Sequence, residues 1–286
     1  SLVGSEMCIR DRFNVEDLIV EEDMVVTLSH QGYVKRLPVD TYRAQRRGGR
    51  GLRGMDTKEE DWVEGMFIAS THDYLMIFTR RGQCYWKKVW EIPVGGRTAR
   101  GKPIINLLNL GEDEQIAAVL PVREFSDDKY LLFGTRLGVV KKTALSAYGN
   151  VRTVGLNAIN IREEDELIDV QVTSGEDEVI LASRAGKAIR FDEGDIRPMG
   201  RTAAGVGGLQ LQGEDEVVDM AILDPAEEGV TLLTACANGF GKKTATENYR
   251  KQKRNGSGII SINATTRNGP VVGLKAVRED DDIVLM

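Results

Sequence analysis

The sequence lacks the residue combinations that form catalytic or metal centres. Its 286 residues include two histidines, His30 and His72, and neither has a partner at metal-ligand spacing. We interpret both as turn or strand-end residues. No nucleophile elbow, Walker loop or H-E-x-x-H motif occurs. Carboxylates are abundant but stand in runs typical of solvated turns, so we expect no catalysis from this chain.

Cysteines and long apolar runs are also scarce. The three cysteines are widely spaced and form no CxxC pair, which fits a reducing cytoplasm better than a disulfide framework. No apolar run approaches the roughly 18 residues that cross a bilayer. We therefore expect a soluble, cytoplasmic protein without a membrane contact.

A general excess of positive charge is missing as well. The formal net charge is −6, which argues against a uniformly basic nucleic-acid binder. The composition, 41% hydrophobic and 29% charged, is that of a globular chain long enough for one or two domains. Any surface for a polyanion must therefore be local.

The first twelve residues differ in character from the rest of the chain. Residues 1–12 match neither a signal peptide nor the start of a strand or helix, and they resemble a translated sequencing-adaptor tail. We assign them to a non-native tail and residues 13–286 to one domain. On this interpretation Cys8 carries no functional information, and the native chain begins further upstream.

A repeat of about fifty residues organises the rest of the chain. Each copy begins with a short apolar run that ends at a turn glycine. These glycines are Gly32, Gly82, Gly138, Gly186 and Gly239. At one fixed offset, three of the turns are followed by a basic pair: Lys35 and Arg36, Lys141 and Lys142, and Lys242 and Lys243.

Two further features recur in each copy in the same order. The first is an Arg-x-x-x-Gly loop, which begins at Arg47, Arg97, Arg201 and Arg254, whereas the third copy has Val151 in the arginine place. The second is an acidic run, found at residues 59–61, 112–114, 163–166 and 214–216 and replaced by residues 267–270 in the fifth copy. Three ordered features in five copies indicate a structural repeat.

Each copy therefore predicts strand, glycine turn, strand, basic loop, strand, acidic turn and strand. Residues 102–108 and 115–120 exemplify the last two strands, and the helix-like residues 224–228 are interpreted as a loop. A four-stranded unit of this length is typical of propeller blades around an axis. We predict an all-β, propeller-like repeat with five complete units and, in residues 282–286, the first strand of a sixth. An incomplete ring would leave an unpaired strand edge.

The first copy contains the loop richest in arginine. Residues 45–51 place three arginines among three glycines, and Arg43 and Arg53 extend the set without an acid. The guanidinium group donates two hydrogen bonds to phosphate, and glycine lets the backbone approach closely. The loop therefore indicates a polyanion contact, with a solvated turn as the alternative. Equivalent loops at regular intervals would form a basic track.

Other interpretations of these features carry less weight. Residues 49–54 match G-x-G-x-x-G, but a dinucleotide site needs a preceding strand and a following helix. A disordered Arg/Gly tract that binds RNA is disfavoured because the loop lies inside a folded repeat. Docking of a partner is the alternative role for the acidic runs. Tyr42, Tyr148 and Tyr249 recur just ahead of the basic loop, which indicates packing and not nucleophilic chemistry.

The loop and its surroundings resemble the C-terminal domain of the DNA gyrase A protein. Residues 45–51, QRRGGRG, are similar to the box motif of that family, and residues 27–33, 174–179 and 242–245 agree with its flanking sequence. The resemblance covers residues 13–286. The C-terminal domain of topoisomerase IV is similar in fold but typically lacks an intact box in its first blade, and it is the alternative family.

The resemblance implies a six-bladed β-pinwheel, in which neighbouring blades exchange strands, with double-stranded DNA wrapped around a basic perimeter. Such wrapping lets gyrase introduce negative supercoils, and the contacts would be largely independent of sequence. The active-site tyrosine, the metal site and the ATPase lie in parts of gyrase outside this chain, so ATP and Mg²⁺ would act elsewhere and no cofactor is expected here. The implied partners are the gyrase A breakage-reunion domain and gyrase B, in an A2B2 assembly. The alternative from another class is a propeller-like scaffold for protein interactions.

The candidate phosphate ligands fall into three groups. The principal group is the box: Gln45, Arg46, Arg47, Gly48, Gly49, Arg50 and Gly51, in which the arginines bind phosphate and Gln45 braces the loop. The later basic loops extend the track with Arg97, Arg100, Arg201, Lys253 and Arg254. The third group is the basic pairs: Lys35, Arg36, Lys141, Lys142, Lys242 and Lys243.

Overall fold

The computed structural model describes residues 15–41, 61–108, 110–111, 114–150, 154–279 and 281. In these residues the regular structure is β-strand together with short 3-10 turns, which confirms the all-β class. Residues 224–228 lie in a loop, as predicted. The predicted strand at residues 282–286 lies outside the described residues.

Nineteen strands are described, and the first strand of each repeat contains or largely overlaps the apolar run that predicted it. They are β1 (Asp23–Ser29), β2 (Tyr33–Pro38), β3 (Val63–Ser70), β4 (Tyr74–Thr79), β5 (Gln83–Lys88), β6 (Lys102–Pro103), β7 (Ile116–Val122), β8 (Tyr130–Thr135), β9 (Val139–Ala144), β10 (Leu156–Asn157), β11 (Leu167–Thr173), β12 (Glu178–Ser183), β13 (Lys187–Asp192), β14 (Val206–Gly207), β15 (Val217–Leu223), β16 (Thr231–Cys236), β17 (Gly241–Ala245), β18 (Ile259–Ile260) and β19 (Val271–Val277).

A 3-10 turn follows the second strand of every repeat. These turns are Val39–Thr41, Val89–Glu91, Leu145–Tyr148, Glu193–Asp195 and Thr246–Asn248, and two others cover Val15–Leu18 and Ile104–Asn106. In the sequence, each of these five turns lies between a hairpin and a basic loop.

The chain divides into two compact units, residues 1–73 with 88–102 and residues 74–87 with 103–286. The first contains a sheet of order β3-β1-β2-β6. The second contains the sheets β10-β5-β4-β7, β11-β8-β9-β14 and β15-β12-β13-β18. Its last described sheet has three strands, in the order β17-β16-β19. Neighbouring strands within these sheets run antiparallel.

The third strand of a repeat joins the sheet of the repeat before it. In the second unit β10 pairs with β5, β14 with β9 and β18 with β13. Leu156 is opposite Cys84, and Val206 is opposite Val140. This exchange confirms the implication of the pinwheel resemblance, and it ties each basic loop to the preceding repeat.

The prediction of one strand over residues 102–108 is wrong in length. Pairing covers Lys102–Pro103, and a 3-10 turn follows over Ile104–Asn106. The equivalent strands β10, β14 and β18 also have two residues, so the short pairing is a feature of the repeat. The short strand is an edge addition to another repeat's sheet and needs no long apolar run.

The core of the second unit lies between successive sheets. In β8, Leu131 and Phe133 pack into one apolar cluster with Phe78, while Leu132 packs into the next with Leu181. The rings of Phe78 and Phe133 meet edge to face at 5.6 Å. A strand that is covered on both faces carries a continuous apolar run and not an alternating one, which is why these runs were visible in the sequence.

Candidate nucleic-acid interface

The box residues lie outside the described part of the chain. Residues 42–60 contain Gln45, Arg46, Arg47, Gly48, Gly49, Arg50 and Gly51, together with Tyr42. Their assignment as phosphate ligands therefore stays a prediction. The later loops show how the equivalent residues are held.

In the first unit, the buried side chain of Lys35 holds the basic loop of the next repeat by hydrogen bonds to its backbone. Its side chain is completely buried, and its ammonium donates hydrogen bonds to the carbonyl oxygens of Gly96 and Arg97 at 2.9 and 2.6 Å. Gly101 closes the same loop at a φ of +88°. A Cβ on Gly101 would lie 2.4 Å from the carbonyl oxygen of Val34, so only glycine fits.

Lys141 plays the same part in the second unit. It is fully buried, and its ammonium donates to the carbonyl oxygens of Ala158 and Arg201. Burial lowers the pKa of Lys141 to about 7, and the positive charge of Arg201 adds to the effect. The loop that begins at Arg201 is thus held through its backbone.

The second residue of the basic pair holds the 3-10 turn of the following repeat. Arg36 donates from Nη2 to the carbonyl oxygen of Trp90 at 3.1 Å and from Nε to that of Ile92 at 2.7 Å, and burial lowers its pKa. Lys142 donates to the carbonyl oxygen of Glu193 at 3.2 Å and lies 3.6 Å from a carboxylate oxygen of the same residue. Arg190 occupies the equivalent place in the fourth repeat and donates to the carbonyl oxygen of Thr246 at 2.7 Å.

The structure gives Lys35, Arg36, Lys141 and Lys142 acceptors inside the protein, and their assignment as direct phosphate ligands stays a prediction. Three of these side chains are buried, and all four donate to main-chain carbonyl groups of the next repeat. For the three buried lysines, this geometry favours an internal role over a contact with a phosphate in solvent. Positive charge in the sequence predicts a phosphate contact, but sequence alone does not show which cations are buried.

The arginines of the loops held by lysine are differently placed. Arg97 is exposed and Arg201 is half-buried, and neither guanidinium forms a hydrogen bond or an ion pair with the described residues. Arg100 lies with its guanidinium carbon 5.2 Å from the centre of the Tyr33 ring, within cation–π range. These three arginines therefore remain candidate ligands.

The loop of the fifth repeat is held by its own arginine. Arg254 donates from Nε to the carbonyl oxygen of Asp195 and from Nη1 to that of Gly207, each at 3.1 Å. Lys253 is 88% exposed at its side chain, and its ammonium lies 2.7 Å from a carboxylate oxygen of Asp195. Lys253 remains accessible to a ligand, whereas Arg254 is engaged inside the protein.

Lys242 and Lys243 differ from the other basic pairs because both are exposed. The ammonium of Lys242 has one carbonyl acceptor, on Ser261 at a long 3.4 Å. They lie on β17, the strand of the fifth sheet that has no exchanged neighbour among the described residues. Their candidacy stays open.

Two exposed arginines were missed by the sequence reasoning. Arg197 and Arg250 are exposed and form no ion pair with the described residues. Each stands four positions before the loop arginine of its repeat, as Arg43 stands before Arg47. This second recurring arginine was a signal that could have found them.

The acidic runs are partly occupied by contacts within the chain. Glu166 lies 3.3 Å from both Arg80 and Arg136, and Glu216 lies 3.4 Å from Arg136 and 2.7 Å from Arg184. The hydrogen bond from Arg184 is the main cause that lowers the pKa of Glu216. The three arginines each stand two positions before a turn glycine, so the acids cross-link successive hairpins.

The tyrosines ahead of the basic loops have a packing role, as predicted for the two that are described. Tyr148 is fully buried and donates to the carbonyl oxygen of Ala158 at 3.0 Å. Tyr249 is 2% exposed, with its hydroxyl 2.6 Å from that of Ser261. Burial raises the pKa of Tyr148 above its usual value.

Other candidate chemistry is sparse in the part of the chain that the structure describes. His30 and His72 lie in the turns after β1 and β3, and Cys84 and Cys236 are buried free thiols. No group of three or more His, Cys, Asp or Glu residues among those described is placed to hold a metal ion. No helix in the described ranges is long and apolar enough to span a membrane.

The five repeats correspond to five matches with one protein family. The sequence model of the family described as "DNA gyrase C-terminal domain, beta-propeller" matches residues 23–70, 73–123, 129–174, 177–224 and 231–284. The DNA gyrase A protein of Salmonella typhimurium is 49% identical over 273 residues, which are 96% of this chain and 31% of that protein. The chain thus spans under a third of the length of this relative.

Two solved structures are similar in fold. One is described as the structure of the DNA gyrase A C-terminal domain, with a TM-score of 0.75, 29% identity, and coverage of 91% of this chain and 84% of that one. The other is the C-terminal domain of DNA topoisomerase IV, with a TM-score of 0.74, 29% identity, and coverage of 91% and 79%.

Proposed function

The chain belongs to the DNA gyrase C-terminal domain family, and from this premise we propose that it binds double-stranded DNA and wraps it along its basic loops. The observation that supports the proposal best is the presence of accessible cations in or just before the basic loops of the second, fourth and fifth repeats. Arg97 in the second repeat, Arg197 in the fourth, and Arg250 and Lys253 in the fifth are exposed. The box arginines of the first repeat complete the series in sequence.

Backbone contact explains how such a surface would act. Arginine and lysine bind phosphate without reading the bases, so the binding is largely independent of sequence. Bending a short duplex costs about 1–6 kcal/mol, and many phosphate contacts along the arc offset this cost. The acids lower the net charge, yet Glu166 and Glu216 form ion pairs with arginines of the hairpin turns.

In the complete protein, wrapping would let gyrase introduce negative supercoils. The proposed partners are the breakage-reunion domain of gyrase A and the gyrase B protein, in a cytoplasmic A2B2 enzyme. ATP and Mg²⁺ are assigned to those parts of the enzyme. The topoisomerase IV domain has nearly the same structural similarity, so the choice of gyrase depends on the family match and the 49% identical relative.

Relaxation of closed circular DNA in the presence of the 286-residue chain tests wrapping directly. We expect the protein to trap supercoils that remain after a relaxing topoisomerase and the protein are removed. Changing Arg46, Arg47 and Arg50 together to Ala should abolish the trapped supercoils and leave the circular-dichroism spectrum unchanged. The same change in the complete enzyme should abolish supercoiling.

The matched control is Arg184→Ala, which removes an arginine that pairs with Glu216 on a hairpin turn. It should trap supercoils as the unchanged chain does. Trapping that survives the triple change would make the box a structural element. A chain that binds no duplex even at low salt would favour the protein-interaction scaffold.

A further inference from the structure

The position three residues after each hairpin glycine varies among the repeats. It is Lys35 in the first repeat, Tyr85 in the second, Lys141 in the third and Ile189 in the fourth. In every case this side chain lies beneath the basic loop of the following repeat. A Cβ on Gly155 would lie 2.6 Å from the Tyr85 ring, and a Cβ on Gly256 would lie 3.3 Å from Cδ1 of Ile189.

The side chain at this position correlates with the state of the loop arginine. Where it is lysine, the loop backbone is the acceptor, and the guanidinium groups of Arg97 and Arg201 have no hydrogen-bond partner among the described residues. Where it is Ile189, no ammonium is available to the loop. There Arg254 holds the loop itself, through the carbonyl oxygens of Asp195 and Gly207.

The second repeat has neither a lysine at this position nor an arginine at the corresponding place of the next loop. The Tyr85 ring lies against Gly155 of the third repeat, and its hydroxyl donates to Glu114 at 3.2 Å. The place of the loop arginine is taken by Val151 in that repeat. An available loop arginine thus accompanies a buried lysine in both described cases.

We propose that the residue three positions after the hairpin glycine decides whether the next repeat's loop arginine is available to a phosphate diester. Lys35 and Lys141 are positioning residues that secure the loop by its backbone and leave Arg97 and Arg201 for the ligand. Ile189 cannot donate a hydrogen bond, so Arg254 itself anchors the loop of the fifth repeat and is a structural residue. The identity of the ligand rests on the proposed DNA-binding function, but the way in which each loop is anchored does not.

Exchange of lysine and isoleucine at this position tests, without DNA, which side chain anchors the loop. The folded 286-residue chain is labelled with phenylglyoxal, which reacts with accessible guanidinium groups, and the labelled arginines are quantified by peptide mass spectrometry. In the unchanged chain Arg97 and Arg201 should react several-fold faster than Arg254. Ile189→Lys should raise the rate at Arg254 several-fold, and Lys141→Ile should lower the rate at Arg201 by a similar factor.

Equal labelling of Arg201 and Arg254 in the unchanged chain would overturn the inference, as would rates that stay the same after both exchanges. Ile189→Lys places an ammonium in an apolar cluster, so its thermal unfolding is measured first. If it does not fold, Lys141→Ile decides the question alone, because isoleucine already occupies this position in the fourth repeat.

Salt dependence of duplex binding then tests the ligand. Each phosphate contact contributes about 0.9 to the slope of log K against log salt. Arg201→Gln should therefore reduce the slope by about 0.9, whereas Arg254→Gln should leave it unchanged. Equal slope changes would overturn the inference. Failure of the unchanged chain and all variants to bind duplex at low salt would overturn the proposed function. The labelling pattern would still show which side chain anchors each loop.

Discussion

The ammonium of Lys141 donates a hydrogen bond to the main-chain carbonyl of Arg201, so a buried cation of the third repeat fixes the basic loop of the fourth. The same relationship joins Lys35 to Arg97 in the first unit. In both cases sequence alone would place the lysine among the phosphate ligands, whereas in the structure it binds the backbone of a loop that carries a candidate ligand. It determines how an arginine is presented.

The glycine that closes the Arg201 loop should tolerate no side chain. Gly205 has a φ of +89°, and a Cβ there would lie 2.6 Å from the carbonyl oxygen of Val140. We expect Gly205→Ala to destabilise the fold by about 1–3 kcal/mol because it combines backbone strain with a clash against backbone. Urea denaturation measures the change.

Gly200→Ala is the matched control for that substitution, because a Cβ at Gly200 would meet no atom within 4 Å. Its midpoint should stay close to that of the unchanged chain. Equal midpoints for the two variants would show that the loop does not depend on close packing at Gly205.

The buried lysine should make stability depend on pH. The pKa of Lys141 is about 7 in the folded protein, against a usual value of 10.5. Between these values the unfolded chain binds a proton that the folded chain does not, so stability rises with pH by at most about 1.4 kcal/mol per unit. Lys141→Met should remove this increment.

Denaturation of both proteins between pH 6.5 and about 9 checks this prediction. Burial raises the pKa of both Tyr148 and Cys84 in the folded protein. Both proteins contain these two residues, so their contribution to the pH dependence is common to the two curves. The stability difference between the chain and the variant should therefore follow Lys141 alone. Parallel curves across the range would contradict the prediction.

The pairing of acids with hairpin arginines should contribute measurably at neutral pH. Glu216 lies between Arg136 and Arg184, and its pKa is lowered below the usual 4.5. A lowered pKa stabilises the fold above the unfolded value, and the contribution is lost as the pH falls through the folded one. We expect Glu216→Gln to cost about 0.5–1 kcal/mol at pH 7 and less at high salt.

Thermal unfolding at pH 7 and at pH 3 measures this contribution. Glu214→Gln serves as the control, because Glu214 belongs to the same acidic run and is exposed. An equal effect of the two substitutions would mean that the pairing contributes nothing beyond net charge.

Tyr249 should matter for stability and not for DNA binding. Its hydroxyl meets that of Ser261, which also lies 3.2 Å from the hydroxyl of Thr234. Tyr249→Phe removes one partner from this buried group and should cost about 1 kcal/mol. A variant of normal stability with weakened duplex binding would instead assign Tyr249 to the interface.

Local patterns predicted much of the fold. The apolar run before Gly138 became β8, and the run before Gly186 became β12, because a strand buried on both faces needs continuous apolar side chains and its turn needs a glycine with positive φ. The third strand was predicted too long. Its two residues pair with another repeat's sheet, as Val206 pairs with Val140, and no local signal indicates a partner so distant in the chain.

The candidate site divides in the same way. Sequence by itself determined the repeat, the position of each basic loop and the family resemblance, because these depend on residue type and spacing. Tertiary structure alone decided that Lys35 and Lys141 are buried beneath the loops that they hold. It also decided that the Arg254 guanidinium binds main-chain carbonyl groups while that of Arg201 has no hydrogen-bond partner among the described residues, and that Glu216 bridges two hairpins. The physical reason is that the role of a charged side chain depends on its burial and on the acceptors around it, and here the next repeat supplies both.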